Sequence, residues 1–382
     1  MEASVPVPAV PVAAVIVGAV PAGLASAACL KRRGVDAVVL EAGATLGSSW
    51  RRHYDRLHLH TVKEHSHLPG LPFDAAIGRY PSRDEAIAYL ESYAARFGVA
   101  PRTDEPVRKV RAEDGGAGAF VVETSRSVYR ARAVVVAAGS NRVPNEDRLP
   151  GQGRFRGTLL HAAVYRNGEP FVGRRVLVVG AGNTGAEIAL DVAERGGEPT
   201  LSLRTPVNVV PRDFLGMPTQ VTGIRLRRAP RGFADAASRL VSRLAFGNLA
   251  RWGFPRPALG PLSAIEQRRR IPLIDVGTID AVKRGAIAVK PGVVRLTEAG
   301  AEFSDGSAAG FDAVVLATGY RPALGEIVDV PGVLDAEGYP LAWRASGDHA
   351  NLFFVGYRTV ATGLLREIGR EAEAVAAALA GA

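Results

Sequence analysis

Two short glycine-rich segments point most directly to chemistry in this 382-residue chain. Each follows an apolar stretch of strand length and precedes a stretch that favours a helix. In that context the turn brings backbone N–H groups and a helix N-terminus to the phosphates of a dinucleotide. The sequence therefore predicts two dinucleotide sites, whose loops are Gly18, Ala19, Val20, Pro21, Ala22 and Gly23, and Gly180, Ala181, Gly182, Asn183, Thr184 and Gly185.

The residue that ends the strand after each helix predicts a different nucleotide for each loop. Glu41 ends the strand of the first unit, where a carboxylate accepts hydrogen bonds from ribose hydroxyls, as FAD or NAD requires. Arg204 ends the strand of the second unit, where an acid would repel a 2′-phosphate and an arginine binds it. We expect FAD at the first site, where this carboxylate also allows NAD, and NADPH at the second. The alternatives are a solvated glutamate and a generic surface arginine.

The first loop departs from the usual pattern at its middle position. Val20 stands where a glycine normally lets the backbone approach the diphosphate. A β-branched side chain at this point cannot simply rotate away. We expect either a shifted loop or weakened FAD binding.

The elements that position these loops are two strand–helix–strand units. The first is predicted from a strand at 13–17, a helix at 24–33 and a strand at 36–40, and the second from 175–179, 186–195 and 199–203. Each unit is followed by a short β-rich stretch and a buried returning strand, at 133–139 and 313–319. These patterns predict an α/β fold of two Rossmann-like dinucleotide-binding domains. The NADP domain (169–307) is expected to be inserted in a discontinuous FAD domain (1–168 and 308–382).

The net charge of +9 comes from one part of the chain. Residues 212–270 contain twelve arginines, no lysine and three acids, an excess equal to that of the whole protein. The segment lacks the interleaved aromatic residues of a nucleic-acid stacking surface, so no nucleic-acid partner is expected. A solvated helical face, attraction of an anionic cofactor or substrate, and weak contact with a membrane surface remain open as interpretations.

Composition excludes several other classes of function. Cys29 is the only cysteine, so neither a disulfide framework nor a redox pair of thiols can form. No apolar run reaches the length of a membrane span. His58 with His60, and His65 with His67, invite a metal site, but no acidic residues complete a ligand set and none is expected. We expect a cytoplasmic protein, with the surface of the endoplasmic reticulum as the alternative location.

The motifs taken together resemble those of flavin-containing monooxygenases. Residues 155–165 match the FxGxxxHxxxY pattern through Phe155, Gly157, His161 and Tyr165, and residues 316–320 match the late ATGY motif. Finer matches at 54–60, 80–82, 89–93, 259–262 and 274–278 point to the plant YUCCA subgroup. The resemblance covers nearly the whole chain.

This resemblance implies a reaction. YUCCA enzymes use FAD, NADPH and O2 to convert the 2-oxo acid indole-3-pyruvate to indole-3-acetate by oxidative decarboxylation through a C4a-peroxyflavin, which makes auxin. The alternatives are a flavin monooxygenase that oxidises nitrogen or sulfur nucleophiles, and a catalytically weak relative with impaired FAD binding. A disulfide reductase is excluded by the single cysteine. The oligomeric state stays open.

The resemblance also assigns roles to individual residues. Trp50 matches a tryptophan after the adenosine-binding segment, Lys63 a lysine at the flavin edge, and His60 lies near an active-site asparagine. His161 is expected to order the loop between the domains rather than to transfer protons. Three further cofactor contacts are predicted where the returning strands end: Gly139, Thr318 and Gly319.

Overall fold

The computed structural model describes residues 9–113, 118–145, 148–226 and 229–381. Its helices are α1 (Pro21–Lys31), α2 (Ser48–Arg51), α3 (Arg83–Phe97), α4 (Asn183–Glu194), α5 (Thr219–Leu226), α6 (Arg231–Phe246), α7 (Pro261–Arg268), α8 (Thr278–Lys283) and α9 (Leu364–Ala380). None of these helices is long and apolar enough to cross a membrane.

The strands divide into two main sheets and several short pairs. They are β1 (Val10–Val17), β2 (Ala37–Leu40), β3 (Val107–Ala112), β4 (Phe120–Thr124), β5 (Val128–Val136), β6 (Val143–Pro144), β7 (Thr158–His161), β8 (Arg175–Val179), β9 (Glu198–Leu203), β10 (Val209–Pro211), β11 (Asp213–Phe214), β12 (Met217–Pro218), β13 (Leu273–Asp275), β14 (Ala288–Pro291), β15 (Val293–Leu296), β16 (Gly300–Phe303), β17 (Ala308–Gly310), β18 (Ala313–Leu316), β19 (Tyr320–Arg321), β20 (Val328–Asp329) and β21 (Leu352–Phe354).

The first sheet is built around β1, which pairs in parallel with β2 on one side and β5 on the other. The first half of β5 pairs with β4 of an antiparallel meander, and its second half pairs in parallel with β21 from the end of the chain. The sheet order is β2-β1-β5-β4-β3-β20. The last part of the chain thus returns to the first sheet, as expected for a discontinuous domain.

The second sheet repeats this plan with different residues. Its order is β14-β9-β8-β18-β7, and every pair in it is parallel. The returning strand β18 lies beside β8 as β5 lies beside β1. The fold class predicted from the sequence is therefore confirmed. β7 and β18 pair within this sheet although they lie outside the range 169–307, and the bounds of the inserted domain stay a prediction.

Both nucleotide helices begin earlier than predicted, immediately after the middle position of each glycine loop. α1 begins at Pro21, whose fixed φ suits the first helical position, and α4 begins at Asn183. The third glycine of each loop is therefore inside the first helical turn. α1 is buried from Pro21 to Leu30 because it packs between the sheet, α3 and α9, and its small residues permit the close approach.

Each sheet is covered by side chains on both faces, as buried parallel strands require. In the first sheet, Ile16 and Val135 face α1 and α9, whereas Val15 and Val134 belong to the core on the opposite face. In the second, Val178 faces α4 and Leu177 packs under the meander β15–β17. The strand ends are thereby held in place, and the glycine loops project from them.

Candidate functional site

The two glycine loops have nearly the same backbone. The first glycine has φ +103° at Gly18 and +111° at Gly180, values that residues with a side chain rarely adopt. A Cβ on Gly18 would lie 2.6 Å from the carbonyl oxygen of Ala137, and one on Gly180 would overlap the carbonyl oxygen of Ala317. In both units the turn therefore passes directly over the returning strand.

The third glycine of each loop is required by a contact within the loop itself. A Cβ on Gly23 would overlap the carbonyl oxygen of Gly18, and one on Gly185 would overlap that of Gly180. The absence of these Cβ atoms lets each helix begin against the end of its strand. The amides at the helix N-terminus are then directed out of the carboxyl edge of the sheet.

The middle position behaves differently from the other two. Val20 has φ −91° and ψ −179°, and Gly182 has φ −76° and ψ −177°. The valine has therefore not displaced the first loop. A Cβ on Gly182 would meet no protein atom within 4 Å, so the backbone tolerates a side chain at this position. In the first loop the isopropyl group of Val20 lies in the corresponding space and lines a cleft.

This cleft, of about 450 Å³, lies at the carboxyl edge of the first sheet. It is lined where β1, β2, β5 and β21 end, as expected for ligand sites in parallel sheets. The predicted FAD contacts that line it are Gly18, Val20, Pro21, Ala22, Glu41, Trp50 and Gly139. Ala19 and Gly23 are buried at the base of the loop. The structure thus brings the predicted FAD residues together.

Glu41 connects the glycine loop to the end of β2. Its carboxylate is buried and accepts the backbone N–H of Ala19 at 2.8 Å and that of Gly43 at 2.9 Å. A carboxylate has about four acceptor positions, so capacity remains for further donors. Because Glu41 lines the cleft, these free positions suit the hydroxyls of a ribose.

The second loop is held by a polar side chain at its helix N-terminus. Asn183 accepts the N–H of Ile274 at 2.7 Å and donates to the carbonyl oxygen of Pro272 at 3.3 Å. Its amide therefore fixes the segment before α8 rather than pointing to a ligand.

Two arginines lie close to the end of β9. Arg204 is exposed directly after this strand, and Arg270 donates to the hydroxyl of the adjacent Thr205 at 3.3 Å. Sequence reasoning did not single out Arg270, because 66 positions separate it from Arg204.

Residues 50–60 connect the cleft with the second loop. Trp50, Arg52 and His53 line the cleft, and the ring of His60 contacts Glu187 of α4 at 2.6 Å. Glu187 is only 4% exposed, so its carboxylate depends on partners such as this histidine. Glu187 was not predicted from the sequence, although it follows the second glycine loop by only two residues.

Burial shifts the pKa values of two side chains in this connection, Tyr54 and His53, toward their neutral forms. Burial raises the pKa of Tyr54 well above its usual range, with the Glu187 carboxylate adding to the effect. Burial also lowers the pKa of His53, assisted by the positive charges of Arg52 and Arg83. The imidazole in the cleft is therefore uncharged at neutral pH.

The two predicted catalytic residues have other contacts. The ammonium of Lys63 donates to the carbonyl oxygens of Asp74, Ala75 and Ile77, which ties down that loop. Neither Lys63 nor His60 is among the described residues that line the cleft. These contacts tether the loop at 74–77 through Lys63 and join residues 50–60 to α4 through His60, and the roles of both side chains at a flavin stay predictions.

The FxGxxxHxxxY residues lie around β7, at one edge of the second sheet. Tyr165 donates to the buried carboxylate of Asp191 on α4 at 2.6 Å. His161 ends β7, and its Nδ1 accepts the N–H of Ala163 at 3.0 Å, while its ring lies edge-on to Tyr320 with centroids 5.4 Å apart. These contacts agree with an ordering role for His161.

The late ATGY residues join the returning strand to the first domain. Thr318 donates its hydroxyl to the carbonyl oxygen of Asn145 at 2.9 Å, and the Asn145 N–H donates to Gly319 at 2.9 Å. Tyr320, the next residue, lines the cleft. The predicted contacts Thr318 and Gly319 therefore lie at the crossing between domains, beside the cleft rather than in its lining.

Cys29 is buried in α1, and burial raises the pKa of its thiol to about 11, so the thiolate needed for disulfide exchange does not form at neutral pH. Among the described residues no group of three or more His, Cys, Asp or Glu side chains is placed to hold a metal ion.

Comparisons with known proteins agree with this geometry. Residues 15–212 match the family model described as pyridine nucleotide-disulphide oxidoreductase. The chain is 41% identical over 346 residues to indole-3-pyruvate monooxygenase YUCCA1 of Oryza sativa subsp. japonica, covering 88% of this chain and 84% of that protein. It is 40% identical over 309 residues to YUCCA6 of Arabidopsis thaliana, covering 79% and 74%. A mutant of the flavin monooxygenase from Stenotrophomonas maltophilia superimposes with a TM-score of 0.75 at 25% identity, covering 97% and 99%.

The chain therefore belongs to the YUCCA family of indole-3-pyruvate monooxygenases. The enzyme class predicted from the sequence, a flavin-dependent monooxygenase, is confirmed at the level of the family, and so is its cofactor pair of FAD and NADPH. The disulfide chemistry in the name of the family model does not apply to a chain with one buried cysteine.

The contrast between the third and the middle glycine can be tested in the second loop. Gly185→Ala should lower the free energy of unfolding by roughly 1–3 kcal/mol, because its methyl group overlaps the Gly180 carbonyl. Gly182→Ala is the matched control, and its urea midpoint should stay close to that of the unsubstituted protein. Equal unfolding midpoints for the two variants would contradict the contact described here.

The side chain of Val20 should weaken FAD binding without disturbing the fold. Val20→Gly should tighten FAD binding by about 1.5–4 kcal/mol, at least about tenfold in Kd, because backbone donors regain access to the diphosphate. The measurement is titration of apoprotein with FAD, followed by quenching of flavin fluorescence.

The exchanged substitution Gly182→Val is the control for this titration. It should weaken NADPH binding while leaving FAD binding and the unfolding midpoint unchanged, because that position is open to a side chain. If the unsubstituted protein holds FAD as tightly as Val20→Gly does, the valine is not an obstacle and this account of the loop is wrong.

Proposed function

We propose that this chain binds FAD at the first glycine loop and NADPH at the second, and converts indole-3-pyruvate, a 2-oxo acid, to indole-3-acetate with O2. The observation that carries the proposal is the match to indole-3-pyruvate monooxygenases over 88% of the chain. The match to the pyridine nucleotide-disulphide oxidoreductase family model, over residues 15–212, includes both loops and the segment that connects them.

The residues of the cleft suit FAD. The α1 N-terminus offers backbone donors to a diphosphate, and Glu41 offers free acceptor positions to a ribose. Trp50 gives the cleft an aromatic wall, and its ring lies edge-on to that of His53 with centroids 6.1 Å apart. Bound FAD would supply the redox chemistry, which amino-acid side chains cannot perform.

The second loop suits a phosphorylated nicotinamide cofactor. Arg204 is exposed at the end of β9, with Arg270 beside its neighbour Thr205. Two guanidinium groups and a hydroxyl at this edge favour a 2′-phosphate over a free hydroxyl. The α4 N-terminus leaves room for the pyrophosphate, because Gly182 and Gly185 have no side chains.

The side chains of the protein position the cofactors and the substrate for the reaction. The balanced reaction consumes one 2-oxo acid, one O2, one NADPH and one proton, and releases the shortened acid, CO2, water and NADP⁺. His53 in the cleft stays neutral, so it can donate or accept a hydrogen bond without adding charge. The contact between His60 and Glu187 holds α4 against residues 50–60 and so fixes the position of one site relative to the other.

The location of the protein is part of the same proposal. We infer a cytoplasmic enzyme with weak attraction to a membrane surface such as that of the endoplasmic reticulum. The support is the basic segment 212–270, whose excess positive charge equals that of the whole chain.

The test is product analysis with purified enzyme, added FAD, NADPH and indole-3-pyruvate. We expect indole-3-acetate and CO2 in equal amounts, with one NADPH consumed for each. Catalase must be present, because free hydrogen peroxide decarboxylates 2-oxo acids without an enzyme. If acid formation stops with catalase while a sulfide or an amine is oxygenated, the alternative substrate class replaces this one.

A further inference from the structure

Helix α6 differs from an ordinary surface helix, because it buries a carboxylate and exposes three large apolar side chains. A surface helix normally turns its apolar stripe to the core and its charges to water. In α6 the side that faces the protein carries Asp235, which is buried and accepts the N–H groups of Leu262 at 2.8 Å and Ser263 at 3.3 Å. Ser238 and Ser242 are on the same side and are half-buried.

The outward side of α6 is apolar. Phe233, Leu240 and Leu244 are 63%, 58% and 66% exposed, and their spacings of seven and four place them in one stripe. Ala236, between them, is exposed as well. The turn that follows the helix adds Trp252, which is 40% exposed. Large apolar side chains grouped in this way on a surface mark a contact site.

Positive charge borders this stripe. Arg243 is exposed on α6 itself, and Arg251 and Arg256 are exposed just after it. The acids of the segment 212–270 are already engaged. Asp235 binds the start of α7, Glu266 pairs with Arg231, and Asp213 accepts from Tyr80 at 2.7 Å. Other arginines of the segment have partners as well, such as Arg269 with Asp335 and Arg239 with the Ala258 carbonyl, so the charge offered to an external partner is that of Arg243, Arg251 and Arg256.

We propose that the outward face of α6 docks the enzyme on a lipid surface rich in anionic headgroups. Arginines beside an exposed stripe of Phe and Leu are the pattern of helices that lie in a membrane interface. A second copy of the chain is disfavoured as the occupant, because its own arginines would be brought against those of the first. The proposal identifies the part of the chain responsible for the attraction to a membrane surface inferred above. It does not depend on which substrate the enzyme converts.

Vesicle binding tests the proposal without turnover. Full-length protein loaded with FAD is sedimented with phosphatidylcholine vesicles that contain or lack phosphatidylserine, at roughly 0.1 M and 0.5 M salt. Binding should require phosphatidylserine and fall at the higher salt. The double variant Leu240→Glu and Leu244→Glu should lower the vesicle partition coefficient by about tenfold or more, because it removes two inserting side chains.

The matched control changes two exposed apolar residues elsewhere. Val172→Glu with Leu341→Glu adds the same charge to side chains 58% and 63% exposed, and it should reduce binding by no more than about twofold. Circular dichroism and retained FAD show that both variants are folded.

The proposal is overturned if the unsubstituted protein stays in solution with phosphatidylserine vesicles, or if both double variants lose binding equally. It is also overturned if sedimentation equilibrium shows a dimer that only the α6 variant dissociates, since the face would then join two copies. Because no substrate is present, failure here leaves the proposed reaction untouched.

Discussion

Both sites depend on one steric constraint, the contact between the first and third glycines of each loop. Neither Gly23 nor Gly185 has room for a Cβ, because the carbonyl of the first glycine occupies that space. This contact sets the distance between strand and helix, so it determines where the helix N-terminus and its amides lie. Glu41 binds the resulting loop through Ala19, and the cleft forms around it.

The same constraint explains why one loop tolerates a valine. The middle residue has extended backbone angles in both loops, so a side chain there conflicts with no protein atom. Folding and cofactor binding thus make separate demands on the three glycines. The fold requires the first and third glycines and makes no such demand on the middle one, which leaves the proposed ligand as the reason for a glycine there.

Much of this arrangement could be predicted from local sequence, because glycine loops, strand ends and returning strands are local patterns. The loops and Glu41 are examples, although both helices begin earlier than expected. Contacts between distant residues could not be predicted in the same way. His60 contacts Glu187, which lies 127 positions away in the sequence. Lys63 donates hydrogen bonds to carbonyl oxygens of a nearby loop, and β7 pairs with β18 in the second sheet. The spacing of Phe233, Leu240 and Leu244 predicts a stripe, but only packing reveals that it faces outward.

The proposed reaction requires the two loops to act together, with electrons passing from the nucleotide of the second to the flavin of the first. The direct measurement is anaerobic titration of FAD-loaded protein with NADPH, followed by the visible absorbance of the flavin. We expect complete loss of that absorbance at one equivalent of NADPH, and much slower loss with NADH. If NADPH binds and the flavin stays oxidised, or if NADH reduces it equally fast, the assignment of the two sites is contradicted.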